Sequence, residues 1–272
     1  AQIQALPEPL RTQLLNGDFV VGRDDHEWQV IPTAWVKAAQ ARWRPQPPQG
    51  AIMTAIGVDV AQGGADRTVL SPRFGPWFAP LVERPGALTP TGSHVAALVV
   101  EVRRNNAAII IDVGGGYGGA AKQRLNDNEI EVLSFNGANK SEQRSKDRQL
   151  KFANKRAEAM WRFREALDPD QDGGSPIALP DDPQILGDLT APRWKLTANG
   201  IQVEDKQDLK KAERLGRSPD KGDAIVMSWS EGERALVIKQ KQALRIRTPV
   251  VPRLPNTSGV ARDRGTGWMG RR

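Results

Sequence analysis

The 272-residue chain has no cysteine, two histidines (His26 and His94) and a single tyrosine, Tyr117. Without cysteine there are no disulfides, thiolate zinc sites or cysteine nucleophiles, and two separated histidines leave no imidazole cluster for a transition metal. Any metal is left with oxygen ligands, which is the chemistry of magnesium or manganese. No stretch approaches the eighteen or so consecutive apolar residues of a membrane span, and the N-terminus lacks the basic-then-apolar pattern of a signal peptide. The expectation is a soluble, intracellular protein with no membrane partner. The length allows one sizeable core plus extensions, or two small domains.

Charge is present in excess, but unevenly. The formal net charge is +7, yet residues 239–272 hold nine Lys/Arg against one acid, Asp263, leaving 30 bases and 31 acids for the rest. The body is neutral and the tail carries the excess, with the Pro, Gly and Arg content of a disordered arm. Within the body, residues 139–156 (NKSEQRSKDRQLKFANKR) hold seven bases against Glu142 and Asp147. Lys140, Arg144, Lys146, Arg148, Lys151, Lys155 and Arg156 are candidates to track a phosphate backbone. The alternative is a solvated helix face of mixed charge.

The chemistry is organised around residues 52–70, IMTAIGVDVAQGGADRTVL, where Asp59 sits inside what reads as a central strand. Alternation puts Ile56, Val58 and Val60 on one face and Ala55, Gly57 and Asp59 on the other, and neither looks like a solvent face. An ionised carboxylate there costs several kcal/mol, on the order given for buried ions, unless it is paired or binds a metal. Two further aspartates share this oddity. Asp112 ends the apolar run 107–111 just before the glycines of GGGYGG, and Asp223 lies in SPDKGDAIVMSW, three and four residues before Val226 and Met227. Each alone has a turn or cap reading; together they point to one metal site. Gathered carboxylates repel one another, and two divalent ions would resolve the conflict. Asp59 is the expected bridging ligand, with Asp112 and Asp223 each completing one ion. Asp66 and Asp220 are outer candidates, with plain turn and cap roles as the alternative.

Along the chain, residues 1–50 read as a connector: an amphipathic helix with Leu10, Leu14 and Leu15, a short helix around Trp35, then the proline cluster at 45–50 as a stiff boundary. Residues 51–235 read as the main domain and 236–272 as the basic tail. Strands are expected near 51–60, 67–74 and 78–83, then a helix over 90–105, a strand over 107–113, a helix over 118–126 and a strand over 130–135. That order is α/β with a mixed sheet, and a right-handed crossover sets the fourth strand beside the first, bringing Asp112 to Asp59. A helix over 150–167, a hairpin over 193–203 turning at Ala198-Asn199-Gly200, and a last helix with Ser218 as N-cap and Pro219 at its first position complete the reading.

Five motifs in order resemble the nuclease domain of the large terminase subunit of tailed bacteriophages. They are GVD-x-A-x-GG-x-D-x-T at 57–68, IIID-x-GGGYG at 109–118, NKRAEAMWRFRE at 154–165, LTAPRW at 189–194 and LGRSPDKGDA at 215–224. The LPEPLR opening is similar to the connector that follows the packaging ATPase in that family. The resemblance implies a ribonuclease H-like (RuvC-type) fold with helices on both sheet faces, and a divalent-metal endonuclease that cuts concatemeric double-stranded DNA during genome packaging. Carried over by motif, Asp59, Asp112 and Asp223 match the three catalytic acids. The implied partners are double-stranded DNA, the portal protein, the small terminase subunit and the packaging ATPase domain, and the implied location is the host cytoplasm. The chain has no GxxxxGK[ST] phosphate loop, so a nuclease fragment of a longer protein is expected.

Three other readings stand beside this one. GVDVAQGG and IIIDVGGG also resemble the phosphate loops of actin-like ATPases, although those use two copies of the fold. A resolvase or transposase would share the three-acid chemistry. A non-catalytic module would dock DNA or a portal through the basic tail, its aspartates being structural.

Overall fold

The structure, a computed structural model, describes residues 25–61, 63 and 66–230. The expected helix at Leu10–Leu15, part of the glycine turn after Asp59 and the basic tail from 236 lie outside the described residues.

Helix α1 spans Thr33–Arg42. Strands β1 (Ala55–Asp59), β2 (Arg67–Phe74), β3 (Trp77–Phe78) and β4 (Val82–Pro85) follow, then α2 (Gly92–Val102), β5 (Ala108–Asp112), α3 (Gly118–Asn126) and β6 (Val132–Phe135). After a long loop come α4 (Lys155–Leu167), α5 (Pro183–Thr190), the hairpin β7 (Trp194–Thr197) and β8 (Gly200–Val203), the short α6 (Lys206–Leu209) and α7 (Asp220–Ser230). The main sheet runs β3-β2-β1-β5-β6, with β4 also on β2. β1 is antiparallel to β2 and parallel to β5, which is parallel to β6. This is the expected mixed α/β sheet. The third strand expected over 78–83 is instead two short ones. Pro80 has no N–H to give a ladder and falls in the break between them, and β3 and β4 pair with opposite ends of β2.

The two faces of β1 are both covered, as its alternation requires. Ile56, Val58 and Val60 join Leu70, Ile109, Ile111, Val95, Val99 and Leu125 in a core under α2 and α3. The opposite face lies under α7, and there Gly57 is required: a Cβ would sit 2.1 Å from the Ala224 carbonyl oxygen. Burying each large aliphatic or aromatic side chain contributes roughly 1.5–3 kcal/mol. Helix α7 is buried nearly all round, presenting Ala224, Ile225, Val226 and Met227 to the sheet and to α4.

Helix α4 starts at Lys155 rather than at 150, because Asn154 caps it by accepting the Ala157 N–H at 2.9 Å and Phe152 is drawn into a bridge with Ile201 of β8. Residues 28–43, expected as part of a connector, place Val30, Ile31, Val36 and Ala39 in one cluster with Phe163 and Ile225. Arg164 of α4 donates to the Val30 carbonyl and lies over the rings of Trp35 and Trp161. The proline run 45–50 therefore links α1 to the sheet without detaching it from the core.

Candidate functional site

The carboxyl ends of β1 and β5 lie side by side, since Val58 pairs with Ile111 in parallel register. Asp59 and Asp112 are the residues that follow in each strand. Asp223 comes from the first turn of α7, the helix that covers β1. All three line one cleft of about 510 Å³, together with Asp66 and Asp220. Asp59 and Asp223 are each only 8% exposed.

A fourth residue, which the sequence did not single out, joins them. The Lys206 ammonium lies 2.9 Å from Asp223 Oδ2, 3.0 Å from Asp59 Oδ2 and 3.6 Å from Asp112 Oδ2. One cation is thus shared by all three carboxylates. Arg156 holds the other oxygen of Asp223, its Nη1 donating to Oδ1 at 2.6 Å. Asp112 is fixed from behind by the Gly114 N–H, which donates to its Oδ1 at 2.8 Å.

These contacts split the acids electrically. Burial pushes the Asp59 carboxyl up to about 7; Lys206 opposes this, while Asp220, Asp223 and Asp112 add to it. Burial also pushes Asp223 up, but Arg156 and Lys206 outweigh it and hold that carboxyl below its usual range. Lys206 loses some basicity to burial and gains more from Asp223 and Asp59, so it stays firmly protonated.

The outer candidates also reach the cleft. Asp66 pairs with Lys210 at 2.7 Å, four residues beyond Lys206. Burial raises the Asp220 carboxyl against a hydrogen bond from Ser218 and the attraction of Lys206, with Asp66 and Asp223 adding to the rise. Ser218 is thereby drawn to Asp220, and the capping of α7 falls elsewhere: Asp188 of α5, fully buried, accepts the N–H groups of Lys221 and Gly222 at 3.1 Å each. Arg217 balances Asp188 at 2.5 Å, and Lys221 pairs with Asp182 and Glu83.

The seven basic candidates divide into two groups. Lys140, Arg144, Lys146, Arg148 and Lys151 are exposed on the loop between β6 and α4. Lys155 pairs with the buried Glu158 and Arg156 with Asp223, so these two face inward. The loop is not a helix, and its neighbouring acids are turned to folding it. Asp147 accepts from Ser145 Oγ and the Gln149 N–H, Glu165 accepts the Lys146 N–H, and Glu158 accepts from Ser141 Oγ. The loop's base, at Asn136–Ala138 and Asn154, lines the cleft.

Carboxylates converging on one central cation are the donor set of a hard divalent metal. In the described residues no three acids are spaced for direct metal ligation; the Lys206 ammonium stands between them. Asp59 was visible in the sequence as an acid inside an apolar strand, Asp112 as one ending an apolar run, and Asp223 as an acid on the apolar face of a helix. Lys206 and Asp188 carried no such signal.

No protein-family model matches the chain, and no curated protein does. Solved structures do. The nuclease domain of the large terminase subunit gp2 of bacterial virus Sf6 aligns with TM-score 0.54 at 20% identity, over 73% of this chain and 96% of that one. A variant of that domain solved with manganese and beta-thujaplicinol gives 0.55 at 18%, over 73% and 96%. A variant of gp2 solved with calcium gives 0.55 at 18%, over 73% and 97%. The resemblance read from the five motifs thus holds at the level of fold, and the chain has the ribonuclease H-like fold of the nuclease domain of phage large terminase subunits.

Proposed function

We propose that the protein is a divalent-cation-dependent endonuclease that cuts double-stranded viral DNA during genome packaging in the host cytoplasm. The observation that carries this reading is the convergence of Asp59, Asp112 and Asp223, from three separate elements, on one cation in a cleft. Magnesium or manganese fits this oxygen-only donor set, and the Sf6 domain has been solved with manganese. Asp59, on the central strand, would bridge two ions, with Asp112 and Asp223 each completing one. Held there by Asp59, Asp112 and Asp223, the ions would supply an activated water and charge neutralisation at the leaving oxygen of a phosphodiester.

The chain's own residues set the conditions. Gly114 orients Asp112, Arg156 keeps Asp223 ionised, and Lys206 must leave the carboxylates for cations to enter. The exposed bases at 140, 144, 146, 148 and 151 offer a rim for the DNA backbone, whose charge dominates such affinity. The glycine loop after Asp112 turns its first N–H to Asp112 and that of Gly116 to Val113, which disfavours the nucleotide-cradling reading. By the same likeness, the packaging ATPase, the portal protein and the small terminase subunit are the proposed partners.

Supercoiled plasmid incubated with the protein in manganese, in magnesium and in EDTA tests this. Nicking and linearisation in either metal and none in EDTA is the expected result. Intact plasmid throughout, with the fold verified by circular dichroism, overturns it.

A further inference from the structure

Arg156 has a geometry that its pairing with Asp223 does not explain. Its side chain is 13% exposed and gives one N–H, from Nη1, to Asp223 Oδ1. Its Nε and Nη2 are sealed from solvent and have no acceptor among the described residues. Buried guanidinium donors are nearly always satisfied, because an unmade hydrogen bond to a charged group is costly. Nor does the arginine lie at a distance from the chemistry. It lines the cleft beside Gly137 and Asn154, and it shares the Asp223 carboxylate with Lys206, arginine on Oδ1 and lysine on Oδ2.

We infer that the missing acceptor is a non-bridging phosphate oxygen of bound DNA, so that Arg156 ties the substrate backbone directly to Asp223. This rests on the nuclease reading and adds to it a substrate-binding residue. Three features carry it. A guanidinium presents its donors as a planar fork, which lets one edge hold a carboxylate while the other meets a phosphate; a lysine in its place could serve as a point charge only. Arg156 is fixed from both sides, its own N–H donating to the Gly137 carbonyl at 3.0 Å and Asn154 capping the helix that carries it. Finally, two cations meet Asp223, Lys206 on Oδ2 and Arg156 on Oδ1. Lys206 is on a four-residue helix and must withdraw when divalent ions enter, which opens the cleft side of Asp223. Arg156 stays, because α4 is built into the core through Ala157, Met160 and Phe163. Nε and Nη2 are sealed from solvent while Lys206 is in place, so the inferred contact requires that withdrawal of Lys206 uncovers them to the phosphate.

The test uses the full chain, its Arg156→Gln and Arg156→Lys variants, and a labelled 20-base-pair duplex. Affinity is measured in calcium as a function of salt, and plasmid cleavage in manganese. Loss of one phosphate contact lowers the slope of log affinity against log salt by about one. Arg156→Gln is expected to show that drop and to lose about 100-fold in cleavage, whereas Arg156→Lys keeps the parent slope and recovers part of the activity. Cleavage lost in Arg156→Gln with the slope unchanged overturns the inference and leaves Arg156 as a holder of Asp223 alone. Equal slopes and equal cleavage in all three proteins overturn it as well. A parent that neither binds the duplex nor cuts the plasmid overturns the nuclease reading, and this inference with it.

Discussion

Asp188 and Gly222 are in contact across two helices: Asp188 Oδ2 accepts the Gly222 N–H, and a Cβ on Gly222 would lie 2.8 Å from the Asp188 Cβ. The next residue after Gly222 is Asp223. The close approach of α5 therefore sets where α7 begins and where its carboxylate points. Gly222→Ala must push the helices apart, at a cost of roughly 1–3 kcal/mol for an overpacked site. A lowered urea midpoint together with reduced cleavage is expected, and an unchanged midpoint would show that the helices have slack.

Lys206 competes with metal for all three carboxylates. Lys206→Ala is expected to lower the manganese concentration for half-maximal binding by about tenfold, roughly 1.4 kcal/mol, read by titration calorimetry. The same change removes the ammonium shared by Asp59 and Asp112 and leaves Asp223 with Arg156 alone, so the metal-free protein should melt earlier in EDTA. Half-saturation equal to the parent's would mean that the ammonium does not stand in the cation's place.

Asp59 gives the pH dependence its sign. Its folded carboxyl is raised to about 7 from an ordinary value of 3.8, so the folded protein holds that proton more tightly than the unfolded chain. The resulting stabilisation is fully present below the unfolded value and is lost as pH rises through about 7. Asp59→Asn cannot ionise. In EDTA its melting temperature relative to the parent should therefore rise between pH 5 and pH 8, and a difference that stays flat would remove the argument.

The rim of exposed bases makes a separate prediction. Replacing Lys140, Lys146 and Lys151 together by glutamine should flatten the salt dependence of duplex binding by two to three phosphate contacts. Their ammonium groups are exposed, so the thermal midpoint should stay within a degree or two. A large loss of stability would instead assign them to the fold.

Legibility followed the range of each interaction. Most of the sheet, α2, α3 and the hairpin were readable because local periodicity and turn chemistry specify them, and Asp59 stood out because a carboxylate inside an apolar strand conflicts with its surroundings. Lys206 was not readable. It lies in a charged run with Lys210 and Lys211, and only the folded position of α6 distinguishes it from them. The Ser218 cap was a sound local reading overtaken by Asp188, thirty residues earlier in the chain, whose carboxylate reaches the same N–H groups. Arg156 read as one of seven bases of a phosphate-tracking surface or a solvated face, and its pairing was hidden for a similar reason, since its partner Asp223 is 67 residues away.

The central claim is that three aspartates act as one site. Manganese-dependent plasmid cleavage by Asp59→Asn, Asp112→Asn and Asp223→Asn, beside the parent and with each fold checked by circular dichroism, addresses it most directly. Loss of at least 100-fold in every variant is the predicted result. Near-parent cleavage by any one of them would contradict the three-carboxylate site.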